Sequence, residues 1–308
     1  MDEQDGLIMM AHGLRFPEGP VAYPDGSVVL VEIERGTVTR VAADGAASVV
    51  AHTGGGPNGL AAGPDGALYC CNNGGFAWVE ADGHNRPVGT PADYSGGRIE
   101  RIGADGTVTT LYTHCGAHAL RGPNDIVFDT AGGFYFTDLG KPRPRDRDLG
   151  GLYYALPDGS AITEIAHPVM TPNGIGLSPD GRVLYFAETE TSRLWAFDIE
   201  APGQVRKQPW PSPHGGRLVC GLPGFQRFDS LAVMADGNIC VATLMTGAIT
   251  EIAPTGEVVR AVPMPERYPT NICFGGPDLR TAYITLSGTG RLARMEWPTP
   301  GLRLNFQP

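Results

Sequence analysis

The sequence predicts an all-β protein, a six-bladed β-propeller with four antiparallel strands in each blade. Three observations point there. Turn formers are abundant, with 44 Gly and 27 Pro in 308 residues, yet 42% of the chain is hydrophobic. That combination suits many short buried strands better than long helices or disorder. A phrase made of a polar residue, an apolar run, an Asp-Gly or Gly-Gly turn and a second apolar run recurs six times. Its starts lie 40, 66, 49, 56 and 42 residues apart, and one propeller blade takes about 40–50 residues.

Each phrase reads as a hairpin of the two inner strands of a blade. The first begins at Glu18, turns at Asp25-Gly26 and resumes at Val28. The second begins at Asn58, turns at Asp65-Gly66 and resumes at Ala67; the third runs from Asn124 through Gly132-Gly133 to Phe134. The fourth begins at Asn173 with its turn at Asp180-Gly181, the fifth at Asp229 with Asp236-Gly237, and the sixth at Asn271 with Gly276 to Asp278. Downstream segments 36–41, 97–102 and 247–252 alternate apolar with polar residues, as half-exposed third and fourth strands would. The longer spacings need insertions, of which 73–97 and 141–149 stand out as disordered or functional loops. No linker divides the chain, so residues 1–308 read as one propeller domain.

Charge narrows the function classes. With 23 basic against 33 acidic residues the formal charge is −10, and no Lys/Arg cluster is joined to aromatics, so nucleic-acid binding is not expected. The densest basic stretch, Lys141 to Arg147, is broken by Asp146 and two prolines and reads as a solvated loop. No apolar run approaches the ~18 residues of a membrane-spanning helix. The opening Met1-Asp-Glu-Gln-Asp5 is acidic where a secretory leader would be basic, so a cytoplasmic location is expected. The six cysteines form no CxxC, and most sit in apolar runs, as buried thiols do.

In a propeller the innermost strands line the central channel, so equivalent positions of successive blades converge on its axis. The six phrases open with Glu18, Asn58, Asn124, Asn173, Asp229 and Asn271. These leaders are hard oxygen donors, suited to Ca²⁺, Mg²⁺ or Mn²⁺ more than to a soft metal. Two buried carboxylates without a cation would repel each other. A metal site in the central channel is therefore expected. The competing reading is that Asn or Asp before Gly simply marks a turn, yet a turn would accept Ser, Gly or Lys as well.

Particular runs are more specific: Phe16-Pro-Glu-Gly-Pro20, Pro123-Asn-Asp125, Phe134-Tyr-Phe-Thr-Asp138, Gly151-Leu-Tyr-Tyr154, Pro172-Asn-Gly174, Asp229-Ser230 and Cys273-Phe-Gly-Gly276. Over about residues 14 to 297 the chain resembles the SMP-30/gluconolactonase/luciferin-regenerating family of six-bladed propellers. The resemblance implies metal-dependent hydrolysis of a small lactone, with organophosphate or aryl-ester hydrolysis as the alternative. By motif it places metal ligands on Glu18, Asn173 and Asp229, with Asn124 as a fourth ligand in some members and a substrate contact in others. Asp125 is similar to an acceptor that orients the ligands. Where certain sugar-lactonase members carry Arg two residues before the Asn, this chain has Gly122, with Arg121 one place earlier. The family's substrate-binding acid has only Asp138, Asp146 and Asp148 as stand-ins.

The expected cofactor is thus one divalent ion, Ca²⁺ first, with Zn²⁺, Mn²⁺ or Mg²⁺ as alternatives, and the expected partner is a small-molecule lactone. Asp229 is the candidate catalytic base, or a direct nucleophile on phosphorus esters. Asn124, Asn58, Arg121, His118 and Asn271 are candidate substrate contacts. Phe76, Trp78 and Tyr94 in or beside the first insertion are either core or lid. A non-catalytic propeller with a structural metal is the third reading. Glycine motifs at 54–59 and 288–293 lack the strand-then-helix context of dinucleotide binding.

Overall fold

The computed structural model describes residues 3–4 and 6–308; Met1, Asp2 and Asp5 of the acidic opening run lie outside the described residues. Six antiparallel sheets follow one another along the chain, and each contains one of the six phrases. Their inner strands are Pro17–Ala22, Pro57–Ala62, Pro123–Phe128, Pro172–Leu177, Arg227–Val233 and Pro269–Gly275, which number blades 1 to 6. Three further strands complete each blade outward, except that blade 4 adds two short strands, Gln204–Arg206 and Arg217–Gly221, side by side on Arg193–Ala201, and blade 6 carries the short Glu3–Gln4 as a fifth strand. The ring closes through sequence-distant pairing. The early strand Leu7–Ala11 joins blade 6 as its fourth strand, against Arg291–Glu296. Among the described residues no helix is long and apolar enough to cross a membrane.

The core is six seams, one between each pair of neighbouring blades. Phe16, Val31, Leu60 and Cys70 pack blade 1 on blade 2, and Tyr69, Phe128, Phe134 and Tyr153 pack blade 2 on blade 3. Val127, Ile175, Phe186 and Phe197 fill the next seam, and Tyr185, Leu231, Val241 and Ile252 the one after. Ile249, Phe274 and Trp297 join blade 5 to blade 6, while Leu30, Val41 and Tyr283 join blade 6 back to blade 1. Because a blade is covered on both faces, its third strand is covered as well. Thr37–Val41 and Ala248–Ile252 are almost wholly buried, including Thr37 and Thr39, where alternation suggested half-exposure. The half-exposed pattern falls on fourth strands such as Ala47–His52 and Val258–Pro263. The cysteines are free, and Cys70, Cys71 and Cys240 are buried.

The two mouths of the channel are built differently. At one, the six inner hairpins turn on Asp25, Asp65, Asp129, Asp180, Asp236 and Asp278, each accepting the backbone N–H two residues on. Residues 301–308 cross this turn mouth. Leu302 N–H donates to Val233 O of blade 5, Asn305 Nδ2 to Phe128 O of blade 3 and Gln307 Nε2 to Phe274 O of blade 6. Above them a channel of about 90 Å³ is lined by Leu60, Ile126, Ile175, Leu231 and Ile272. That is room for about three waters. The phrases begin at the other mouth, and Gly19, Asp125 and Asn271 close the channel on that side.

The insertion 73–97 is an ordered hairpin, Ala77–Ala81 against His84–Gly89. Phe76 and Trp78 pack against the seam of blades 1 and 2, with Trp78 on Phe16 at 5.0 Å between ring centroids. The hairpin's root is locked by Lys141, which corrects the reading of 141–147 as a solvated loop. Lys141 is 1% exposed. Its Nζ donates to Asn73 Oδ1 at 2.9 Å and Gly75 O at 2.7 Å, and lies 3.8 Å from the Phe76 ring centroid. Burial pushes this ammonium down to about 7, against the pull of Asp138. The chain has only two lysines, Lys141 and Lys207, among 23 basic residues. A compact ammonium fits a closed cage of two oxygens and a ring, where a guanidinium fork does not.

Candidate active site

Around the second mouth the leaders come together because glycine follows several of them. A Cβ on Gly19 would stand 2.6 Å from Asn58 O, one on Gly59 2.4 Å from Asn124 O, and one on Gly174 2.8 Å from Asp229 O. These glycines make no hairpin turn; they let the inner strand of one blade touch that of the next. Hydrogen bonds complete the ring. Asn271 Nδ2 donates to Glu18 Oε2 at 2.7 Å across blades 6 and 1, and Asn173 Nδ2 to Asp229 Oδ1 at 2.6 Å across blades 4 and 5. Thr137 of blade 3 donates through Oγ1 to Asn173 O at 2.6 Å and accepts from Asp125 N–H. Asn173 Nδ2 also reaches Thr189 Oγ1 at 3.0 Å.

Five leaders, Glu18, Asn58, Asn124, Asn173 and Asn271, are buried, whereas Asp229 is half-buried as a residue with its carboxyl enclosed. Electrostatics single out three carboxyl groups. Burial raises Glu18 above the usual carboxylate range, opposed by bonds from Asn271, Gly19 N–H and Thr270. Asp125 is pushed up to about 7, first by burial and then by the charge of Glu18. Asp229 is raised well above its ordinary value by burial, then by Glu18, with Asp125 adding to it. No Lys, Arg or His pairs with any of the three among the described residues.

Two carboxamide oxygens at the same mouth, Asn124 Oδ1 and Asn173 Oδ1, are buried without a partner. Mutually repelling carboxyls beside orphaned neutral acceptors form an acceptor-rich site that lacks positive charge, and a hard divalent cation matches that need. No group of three or more His, Cys, Asp or Glu side chains is spaced for a metal among the described residues. A cation here would draw on the amide oxygens as well as on carboxylates. Asp125 stands behind the ring: its Oδ1 accepts Ile126 N–H at 2.9 Å, and Ile175 N–H and the Ser230 hydroxyl hold the same carboxyl.

Other sequence candidates lie elsewhere. Arg121 and His118 line a separate cleft of about 420 Å³ on blade 3, with Tyr153, Glu164 and His167 and with none of the leaders. Asp138 is 3% exposed and accepts the N–H groups of Arg121, Gly122 and Gly140, which leaves little of it for a substrate. Asp146 and Asp148 pair with Arg143. Tyr94 spends its hydroxyl on Arg121 O at 2.5 Å. Thr137 and Ser230 lie in runs that carry the resemblance but had no role assigned there, whereas Thr189 and Lys141 carry no signal in the phrase pattern.

A family model described as "SMP-30/Gluconolactonase/LRE-like region" matches residues 16–288. Lactonase drp35 of Staphylococcus epidermidis is 33% identical over 170 residues, which are 55% of this chain and 48% of that protein. Lactonase drp35 of Staphylococcus aureus is 34% identical over 144 residues, 47% of this chain and 42% of that protein. The chain spans about half the length of the curated relatives it matches. Among solved structures, a gluconolactonase from Xanthomonas campestris superimposes with a TM-score of 0.74 at 23% identity, covering 95% of this chain and 89% of its own. Regucalcin from Agrobacterium tumefaciens does so with a TM-score of 0.72 at 19% identity, covering 98% and 96%. At these identities the likeness is one of fold.

Proposed function

The chain belongs to the SMP-30/gluconolactonase/LRE-like family, and from that premise we propose that it is a hydrolase opening the ester ring of a small lactone at the leader mouth. Lactonases among its relatives support the reaction class. The observation that carries the reading is the state of Asp229. It is the one leader that is half-buried as a residue, its Oδ1 is gripped by Asn173 at 2.6 Å, and its enclosed carboxyl is raised by burial beside Glu18.

Glu18, Asn173 and Asp229, with Asn124, would hold one divalent cation, Ca²⁺ by the hardness of the donors. Bound there, it would supply Lewis-acid polarisation of the lactone carbonyl. The chain's own residues do the rest. Asn173 Nδ2 and Ser230 N–H orient the Asp229 carboxylate, which takes a proton from water as that water attacks the carbonyl carbon. Collapse of the tetrahedral species breaks the ring C–O bond, and the proton returns from Asp229 to the departing alkoxide, leaving a hydroxy acid. Asn271 and Gly19 N–H hold Glu18 through the same oxygen, Oε2, and so orient it. The channel below the ring is walled by aliphatic side chains.

A pH-indicator screen over lactones and phosphotriesters tests this, using metal-stripped protein repleted with Ca²⁺, Mg²⁺, Mn²⁺ or Zn²⁺. Lactone turnover that returns with a divalent ion is expected. Asp229→Asn should lower kcat at least ~100-fold, within the range of a lost general base. Turnover near wild type in that variant would remove Asp229 as the base.

A further inference from the structure

Three consecutive blades meet in a charge cluster at the rim of the leader mouth. Arg147 stands in the loop after the second strand of blade 3, Glu190 in the corresponding loop of blade 4, and Arg227 opens the inner strand of blade 5, two residues before Asp229. Arg147 Nη1 lies 3.7 Å from Glu190 Oε1, and Arg227 Nη2 lies 2.9 Å from Glu190 Oε2. One carboxylate thus faces two guanidinium groups. Nε–H of both arginines is buried without a partner, so the protein does not saturate either fork. All three side chains remain about one-third exposed, at 28%, 35% and 36%. The cluster is also tied to the site. Glu190 N–H donates to Thr171 Oγ1, and the preceding Thr189 accepts from Asn173.

A staple between blades would need one arginine per carboxylate. A surplus guanidinium beside the reactive mouth of a chain of formal charge −10 calls for another anion. Paired guanidinium groups match the geometry of carboxylate and phosphate oxygens. We propose that Arg147 and Arg227 form a specificity subsite for a carboxylate or phosphate group carried by the substrate, with Glu190 as its internal placeholder. This rests on the lactone reading and narrows the substrate class to lactones bearing an anionic substituent. An incoming oxyanion displaces Glu190 from one or both forks and brings the lactone ring toward Asp229.

The test compares wild type, Glu190→Gln and the double variant Arg147→Gln/Arg227→Gln. Kinetics are run with a neutral, a carboxylated and a phosphorylated lactone of the same ring size, which separates the two anion sources. Calorimetry with inorganic phosphate and with acetate supplies a readout independent of turnover. Wild type should prefer an anionic lactone, and the double variant should lose that preference at least tenfold, chiefly in KM. Glu190→Gln should tighten phosphate or acetate at least threefold, because it frees both forks. A mere staple would instead show unchanged anion affinity in Glu190→Gln and an unaltered lactone preference in the double variant; either result overturns the subsite. If no lactone is turned over while the anion affinities move as described, the subsite stands and the hydrolase reading falls. Thermal melts accompany each variant, and if the double variant does not fold, Glu190→Gln and the single Arg147→Gln carry the comparison.

Discussion

The two mouths of the channel are made from the two ends of the same six hairpins, and both present a ring of Asp, Asn or Glu. At the turn mouth these residues satisfy themselves locally. Each turn Asp accepts the N–H two residues on, and the charges face solvent or exposed arginines, as Asp25 does with Arg40. At the leader mouth the same residue types are buried, are held by residues of other blades, and leave Asn124 Oδ1 and Asn173 Oδ1 unpartnered. A polar residue in a repeat is thus a turn where water and its own backbone can serve it. It becomes a site where neither can, because only a ligand then satisfies the group.

The sharpest way to break this comparison is to neutralise one member of the buried ring. Glu18→Gln should cost at least ~100-fold in kcat/KM, the scale of losing a charged contact in the transition state. It should also abolish the rise in Tm expected when a divalent ion is added to wild type. A wild-type response in both readouts would reduce the leader mouth to the status of the turn mouth.

The pH dependence of metal-free protein sharpens the same point. Glu18, Asp125 and Asp229 have folded pKa values raised above those of the unfolded chain, Asp125 to about 7. Between about pH 4 and 7 the folded state therefore binds more protons than the unfolded one. The contribution is fully present below the unfolded pKa and is lost as pH rises through the folded values. In chelator, Tm should fall by at least ~2 °C from pH 5 to pH 8, and Glu18→Gln should flatten the slope. A slope unchanged by that substitution would place its origin in the surface charge of the whole chain.

A smaller effect is expected where the leader mouth is braced but not reactive. Lys141→Met keeps the packing on Phe76 and strands Gly75 O, while Asn73 Oδ1 still accepts Gly75 N–H. Leaving buried acceptors unpaired costs about 1–3 kcal/mol, readable by denaturant unfolding and as faster proteolysis of the hairpin at 77–89. Stability unchanged within error would mean that the cage contributes nothing net. The smallest effect belongs to the turn mouth. Asp236→Ala removes only its local bonds to Asn238 N–H and Nδ2 and should cost about 1 kcal/mol or less, with any divalent-ion response of Tm the same as in wild type.

Much of this was legible beforehand. The six leaders and their spacing located the inner strands, since a hairpin is written locally in the alternation and the Asp-Gly turn. Grouping Glu18 with Asp229, 211 positions apart, followed from the symmetry of the fold. Less legible were features that depend on which surfaces meet. The third strands looked half-exposed because alternation reports one face, whereas each blade has a neighbour on both. Lys141 looked solvated inside a run of arginines, and its rarity was the one clue to a cage. Arg121 and His118 sit near Asn124 in sequence, yet the chain turns them into a different cleft.

By itself, then, the sequence determined how many blades there are, where each begins, and which polar residues face the axis, because strand period and turn chemistry act over a few residues. The tertiary structure alone decided that Asp229 is half-buried while Glu18 is fully buried, that Asn173 rather than a cation-bearing side chain holds it, and that Arg147 and Arg227 share one Glu190. Those outcomes depend on burial and on contacts between distant blades, and both are set only when the ring closes.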